Sequence, residues 1–153
     1  MGLQTLAYAD GDTSLTALVA QPEGRPRAAV LVCPTIMNPT EAVRTKALAL
    51  AEAGYLALVA DFYGRQPAAR EEAIALADRL RAVPVLYRQR LRAALDALAT
   101  LPEAQQDLPL AAIGFCMGGQ AALELAREGV RRSPAWRRST PCSRPICRRV
   151  PAG

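Results

Sequence analysis

The residues best suited to chemistry in this sequence are Gly114-Phe115-Cys116-Met117-Gly118-Gly119. Their pattern is Gly-x-nucleophile-x-Gly, a sharp turn from a strand into a helix that lifts the central side chain above the sheet. Here the nucleophile is a thiol. Side chains two residues before or after Cys116 would meet neighbouring backbone, which explains Gly114 and Gly118. Gly119 is expected to let the helix pack close to the sheet. A helix N-terminus favours a thiolate over a thiol. The backbone N–H of Met117 would point at an oxyanion developing on an attacked acyl carbon. A second N–H is expected from the loop after the first parallel strand, around Thr35-Ile36.

Competing readings of these glycines fit poorly. Their spacing at 114, 118 and 119 is not G-x-G-x-x-G, and no GK[ST] follows, so neither dinucleotide nor phosphate-loop binding is expected. The chain contains no histidine, which removes imidazole catalysis, His metal ligation and His pH sensing from the residues present. The four cysteines, Cys33, Cys116, Cys142 and Cys147, form no paired C-x-x-C set, so no zinc site is expected. Cys33 lies in an apolar run, and it reads as a buried structural thiol. Cys142 and Cys147 read as incidental.

The elements that must position Cys116 follow from apolar periodicity. Residues 3–9 and 15–20 flank Asp10-Gly11-Asp12 and predict a hairpin. Ala28 to Cys33, Tyr55 to Ala60 and Leu108 to Phe115 are short apolar runs of the kind a strand shows when helices cover both faces. Between them, helical spacing predicts a helix opening near Asn38-Pro39-Thr40-Glu41, with Asn38 or Thr40 as cap and Gly54 as the stop. Ala68 to Ala82 predicts a second helix with Ile74, Ala77 and Leu80 inward. Pro84 should end or kink it, Leu86 to Leu98 should form a third, and Gly118 to Arg127 a fourth. Alternating β and α units predict an α/β fold, a mostly parallel sheet with helices on both faces.

Length and charge divide the chain. At 153 residues it is about one domain, and 51% hydrophobic residues can build a core. Residues 1–129 carry 12 basic and 14 acidic residues, whereas residues 130–153 carry seven Arg and no acid. The whole-chain net charge of +5 therefore comes from the last segment, which also holds four Pro and shows no strand or helix period. Two explanations stand for 130–153: a disordered basic tail, or a natural continuation lost, for example through a change of reading frame. The abrupt switch of composition favours the second. No signal-peptide pattern opens the chain and no apolar run is long enough for a membrane span, so a cytoplasmic protein is expected.

With the elbow, the strand Val30-Leu31-Val32 and its loop, and Gly54-Tyr55 leading into Asp61-Phe62-Tyr63-Gly64-Arg65, the chain resembles the dienelactone hydrolase family of α/β hydrolases over residues 12–129. The resemblance implies an α/β-hydrolase fold, no metal or cofactor, and action on a small-molecule lactone or carboxylic ester. It implies Cys116 as nucleophile and the amides of Met117 and Ile36 as the oxyanion hole. Many members carry Glu in the loop after the first parallel strand; here that position is Thr35, and Glu41 lies one turn further as a helix-start charge. The family's acid and His follow the nucleophile in chain order, but the 37 residues after Cys116 contain only Glu124 and Glu128, on the elbow helix, and no Asp or His. The last strands are likewise expected to be missing. The alternative from a different class is a catalytically inactive α/β domain that acts as a binding module through its basic segment, without specific nucleic-acid readout.

Overall fold

A computed structural model of the protein describes residues 2–105 and 108–129. The segment read as a basic tail, 130–153, with its Cys142 and Cys147, lies outside the described residues. Strands β1 (Leu3–Asp10) and β2 (Thr13–Ala20) form the expected hairpin, closed by Gly11-Asp12, with Asp10 opposite Thr13. Gly11 takes φ +56°, which suits so short a connection.

The remaining elements alternate: β3 (Ala29–Cys33), α1 (Glu41–Glu52), β4 (Leu56–Val59), α2 (Arg70–Ala82), α3 (Pro84–Thr100), a single 3-10 turn (Pro102–Gln105), β5 (Leu110–Gly114) and α4 (Met117–Glu128). The five strands lie in the order β1-β2-β4-β3-β5. β4, β3 and β5 run parallel, and the hairpin joins them antiparallel through β2 and β4. The sheet is thus mixed, with its parallel part beneath the elbow.

Every side chain of β3 and β4 is buried, because helices cover both faces. Period-two alternation sorts them. Val30 and Val32 face Val43, Ala47 and Ala51 of α1. Leu31 and Cys33 face the opposite layer with Leu91, Leu95 and Leu98 of α3 and Met117 and Leu125 of α4. Each fully buried Leu contributes about 1.5–3 kcal/mol of transfer free energy. Among the described residues β5 has β3 as its only strand neighbour, so it forms one edge of the sheet.

Three local expectations change. Asn38 does not cap α1: Thr40 is the N-cap, without a side-chain cap bond, and Asn38 is drawn into a buried network. Ile74 is 41% exposed, and Ala73, Ala77 and Leu80 form the inward stripe of α2. Its alanines let α2 approach closely and leave the bulkier Ile74 outside. Pro84 ends α2 as expected, since Val83 before it is held out of the helical region, but it also occupies the first turn of α3, where its missing N–H would have had no intrahelical partner, so α3 starts two residues before Leu86. Among the described residues, no helix is long and apolar enough to cross a membrane.

Candidate active site

The turn from β5 into α4 places Cys116 at φ +55°, ψ −117°, a conformation L-residues rarely adopt. Holding it costs on the order of 1–3 kcal/mol, which the surrounding packing must offset. That packing is visible at the flanking glycines. A Cβ on Gly114 would lie 1.8 Å from the Gly118 carbonyl oxygen, and one on Gly118 would lie 2.0 Å from the Cys33 carbonyl oxygen. Both contacts are with backbone, which cannot swing aside. A Cβ on Gly119 would meet only the Gly114 oxygen, at 3.8 Å, an ordinary contact. Close helix–sheet packing therefore rests on Gly114 and Gly118, not on Gly119.

Cys116 is exposed and stands at the N-cap position of α4. Met117, the first helical residue, is buried. The next two amides are engaged in the turn, Gly118 N–H to Phe115 O at 2.9 Å and Gly119 N–H to Cys116 O at 3.0 Å. Among the described residues no acceptor meets the Met117 N–H. That is the usual state of a first-turn amide and the one an oxyanion needs.

The loop after β3 sits against this turn. Phe115 N–H donates to Cys33 O at 3.2 Å, and Cys33 pairs in register with Gly114. Beyond the buried Pro34, residues Thr35 to Asn38 form a tight turn closed by Asn38 N–H to Thr35 O at 3.0 Å. The Thr35 hydroxyl accepts the Met37 N–H at 3.1 Å. Ile36 is half-buried, and its side chain packs on the core layer that includes Met117. Among the described residues no acceptor meets its N–H. Thr35 thus serves its own turn, and Glu41 is exposed at the start of α1.

Two tyrosines brace Met117. Tyr87 donates to its carbonyl oxygen at 3.3 Å and Tyr63 reaches its Sδ at 3.7 Å. Burial pushes the Tyr63 hydroxyl up to about 12 and raises that of Tyr87 further. Both remain neutral donors at ordinary pH. Cys33 is fully buried, and burial pushes its thiol up to about 12, in keeping with a structural role.

A buried polar network beside the site was not apparent from sequence patterns. Asp61 Oδ1 accepts from Asn38 Nδ2 at 2.7 Å, Tyr63 N–H at 3.0 Å and Gly64 N–H at 2.8 Å, while Oδ2 accepts from Thr16 N–H at 3.0 Å. Arg90, also buried, donates to Asp10 at 2.8 Å and to Phe62 O at 2.7 Å. Asp61-Phe62-Tyr63-Gly64 reads as an Asx turn, the one local signal that could have identified Asp61 as more than a loop residue. Glu124 and Glu128 are held by α3: Arg88 meets both, Arg92 meets Glu128, and the Arg88 hydrogen bond lowers the Glu124 carboxyl. Among the described residues, no three His, Cys, Asp or Glu gather to hold a metal ion.

The family model described as the dienelactone hydrolase family matches residues 15–141. No curated protein sequence matches the chain. Among solved structures, m3DLH is 37% identical, with a TM-score of 0.77 over 83% of this chain and 54% of its own. A dienelactone hydrolase-like promiscuous phosphotriesterase from metagenomic libraries is 33% identical, with a TM-score of 0.76 over 83% and 54%. A dienelactone hydrolase from Anabaena variabilis is 27% identical, with a TM-score of 0.62 over 86% and 60%. The chain spans a little over half the length of these structures.

Proposed function

We propose, for a chain that belongs to the dienelactone hydrolase family, that Cys116 is an acyl-accepting nucleophile acting on a carboxylic ester or lactone, with the amides of Met117 and Ile36 as its oxyanion hole. The observation that carries this reading is the exposed Cys116 at φ +55°, fixed between two glycines that cannot hold a side chain. In this reading residues 1–129 are the N-terminal part of the α/β-hydrolase unit, and the substrate is a small molecule in a reducing, cytoplasmic setting that keeps Cys116 free.

The thiol gives its proton to solvent, and the sulfur attacks the carbonyl carbon. The carbonyl π pair moves onto oxygen, where the two amides stabilise it. The attack forms the C–S bond; collapse of the intermediate re-forms the carbonyl and breaks the ester C–O bond, leaving a thioester, and the alcohol oxygen departs with the electron pair and takes its proton from solvent. Deacylation needs a base to activate water, and loss of one typically costs about 10²–10⁴ in rate. Without a histidine in the 153 residues, acylation is expected to outrun deacylation. Glu124 and Glu128 do not replace that base, because α3 arginines occupy them on the elbow helix. One structural relative is a promiscuous phosphotriesterase, so an activated phosphotriester is the second substrate to try.

The test mixes the full chain with p-nitrophenyl acetate and follows p-nitrophenolate together with intact mass. The expected result is about one equivalent released, with the acetyl group on Cys116 and slow later turnover. Labelling that persists in Cys116→Ala would overturn the reading.

A further inference from the structure

We infer that Asn38 is a positioning residue for acyl transfer: it ties the turn that carries the Ile36 amide to the segment Asp61–Gln66. The inference rests on the acyl-transfer reading above.

Asn38 is 2% exposed and adopts φ +61°, so it is both buried and in the left-handed region. Asn tolerates that backbone better than most side chains. All three of its side-chain bonds run to one segment. Nδ2 donates to Asp61 Oδ1 at 2.7 Å and to Arg65 O at 3.0 Å, and Oδ1 accepts the Phe62 N–H at 2.9 Å. A fourth tie comes back the other way, from Gln66 Nε2 to Met37 O at 2.6 Å. Within the turn, the Met37 and Asn38 amides are spent on Thr35. Of the Ile36, Met37 and Asn38 amides, only that of Ile36 has no acceptor among the described residues, and Asn38 and Gln66 are the clamps that fix the turn carrying it. Asp61 is in turn fixed by Thr16 of β2, so the clamp is anchored in the sheet rather than in another loop.

A merely structural role and a positioning role predict different chemistry. Acylation of Cys116 builds an oxyanion and depends on the Ile36 amide. Alkylation by iodoacetamide displaces iodide at a saturated carbon and builds none. Loss of the clamp should slow the first reaction and leave the second.

The experiment compares the full wild-type chain with Asn38→Gly, which keeps the left-handed backbone accessible, and with Gln66→Ala, an exposed position. Each is assayed for acylation by p-nitrophenyl acetate and for iodoacetamide labelling of Cys116, with folding checked by circular dichroism. Displacing one oxyanion donor should slow acylation by Asn38→Gly about 10–100-fold, with less effect from Gln66→Ala, while labelling stays within about twofold. Equal acylation by wild type and Asn38→Gly, or a parallel fall of both reactions, overturns the inference. If Asn38→Gly fails to fold, Gln66→Ala decides alone: a several-fold fall in acylation with unchanged labelling supports the inference, and unchanged acylation overturns it. A wild-type Cys116 that alkylates but never acylates overturns the acyl-transfer reading, and this inference with it; acylation by wild type matched by the variants overturns the inference only.

Discussion

The Cα of Gly118 faces the carbonyl oxygen of Cys33 so closely that a methyl group there would sit 2.0 Å from it. The end of β3 and the start of α4 are thus in backbone contact, and the elbow and the loop carrying Ile36 share one rigid corner. Gly118→Ala must push that corner apart, and overpacking of this kind costs about 1–3 kcal/mol or more. Gly119→Ala meets nothing closer than 3.8 Å and replaces a poor helix former, so it should be neutral or stabilising by up to about 1 kcal/mol. Urea midpoints of the two variants check this, and equal midpoints would contradict it.

Thiol reactivity should split between the two cysteines among the described residues. Cys116 is exposed, whereas Cys33 is fully buried and its thiol is pushed up to about 12 by burial. Iodoacetamide at pH 8 should modify Cys116 in the native protein and leave Cys33 untouched until urea opens the core. Mass mapping of the label reads the outcome directly. Native labelling of Cys33 at a rate comparable with Cys116 would mean that the parallel strands do not bury it.

What the sequence disclosed and what it hid divide by range. The all-apolar run of β3 and the Gly-x-Cys-x-Gly turn are local signals, because burial on both faces and backbone crowding act on consecutive residues. The Asn38–Asp61 bond joins residues 23 apart and the Arg90–Asp10 pair residues 80 apart. No period or spacing encodes such pairs; they exist only once the sheet order brings the loops together. Asn38 could therefore be read as a helix cap, since Asn before a helix is ordinarily that. Ile74 failed for a related reason: an apolar periodicity marks a face, but the closest approach of α2 selected its alanines.

Alkaline stability should follow the buried neutral acids. Burial is the largest cause raising Tyr8, Tyr63, Tyr87 and Cys33, with Tyr63 and Cys33 at about 12. In the unfolded chain these groups ionise near their ordinary values of 10.0 for Tyr and 9.0 for Cys. Below pH 9 both states hold the protons and stability is full. Between about 9 and 12 the unfolded state releases protons that the native state retains, so stability must fall as pH rises. Urea midpoints measured from pH 7 to 11 should be flat at first and then decline. Replacing Tyr87 by Phe should reduce the slope of that decline, while costing its bond to Met117.

Arg90 offers the sharpest test of how the site's frame is held. Its guanidinium is buried, and it joins Asp10 at the hairpin end of β1 to the Phe62 carbonyl in the segment that holds Asn38. Removing one partner of a fully buried pair costs about 3–5 kcal/mol, and the half-buried Asp10 brings the cost here to the low end of that range or below it. Arg90→Ala should therefore destabilise the fold by that order and strand the Asp10 carboxylate. Replacing both residues with apolar ones of similar volume, as Arg90→Met with Asp10→Leu, removes the stranded charge and should recover a good part of the loss. The Phe62 carbonyl would still lack its donor, so recovery should be incomplete by about 1–3 kcal/mol. Denaturation of Arg90→Met, Asp10→Leu and the double variant gives the coupling; strictly additive losses would show that the pair holds the hairpin and the Phe62 segment independently.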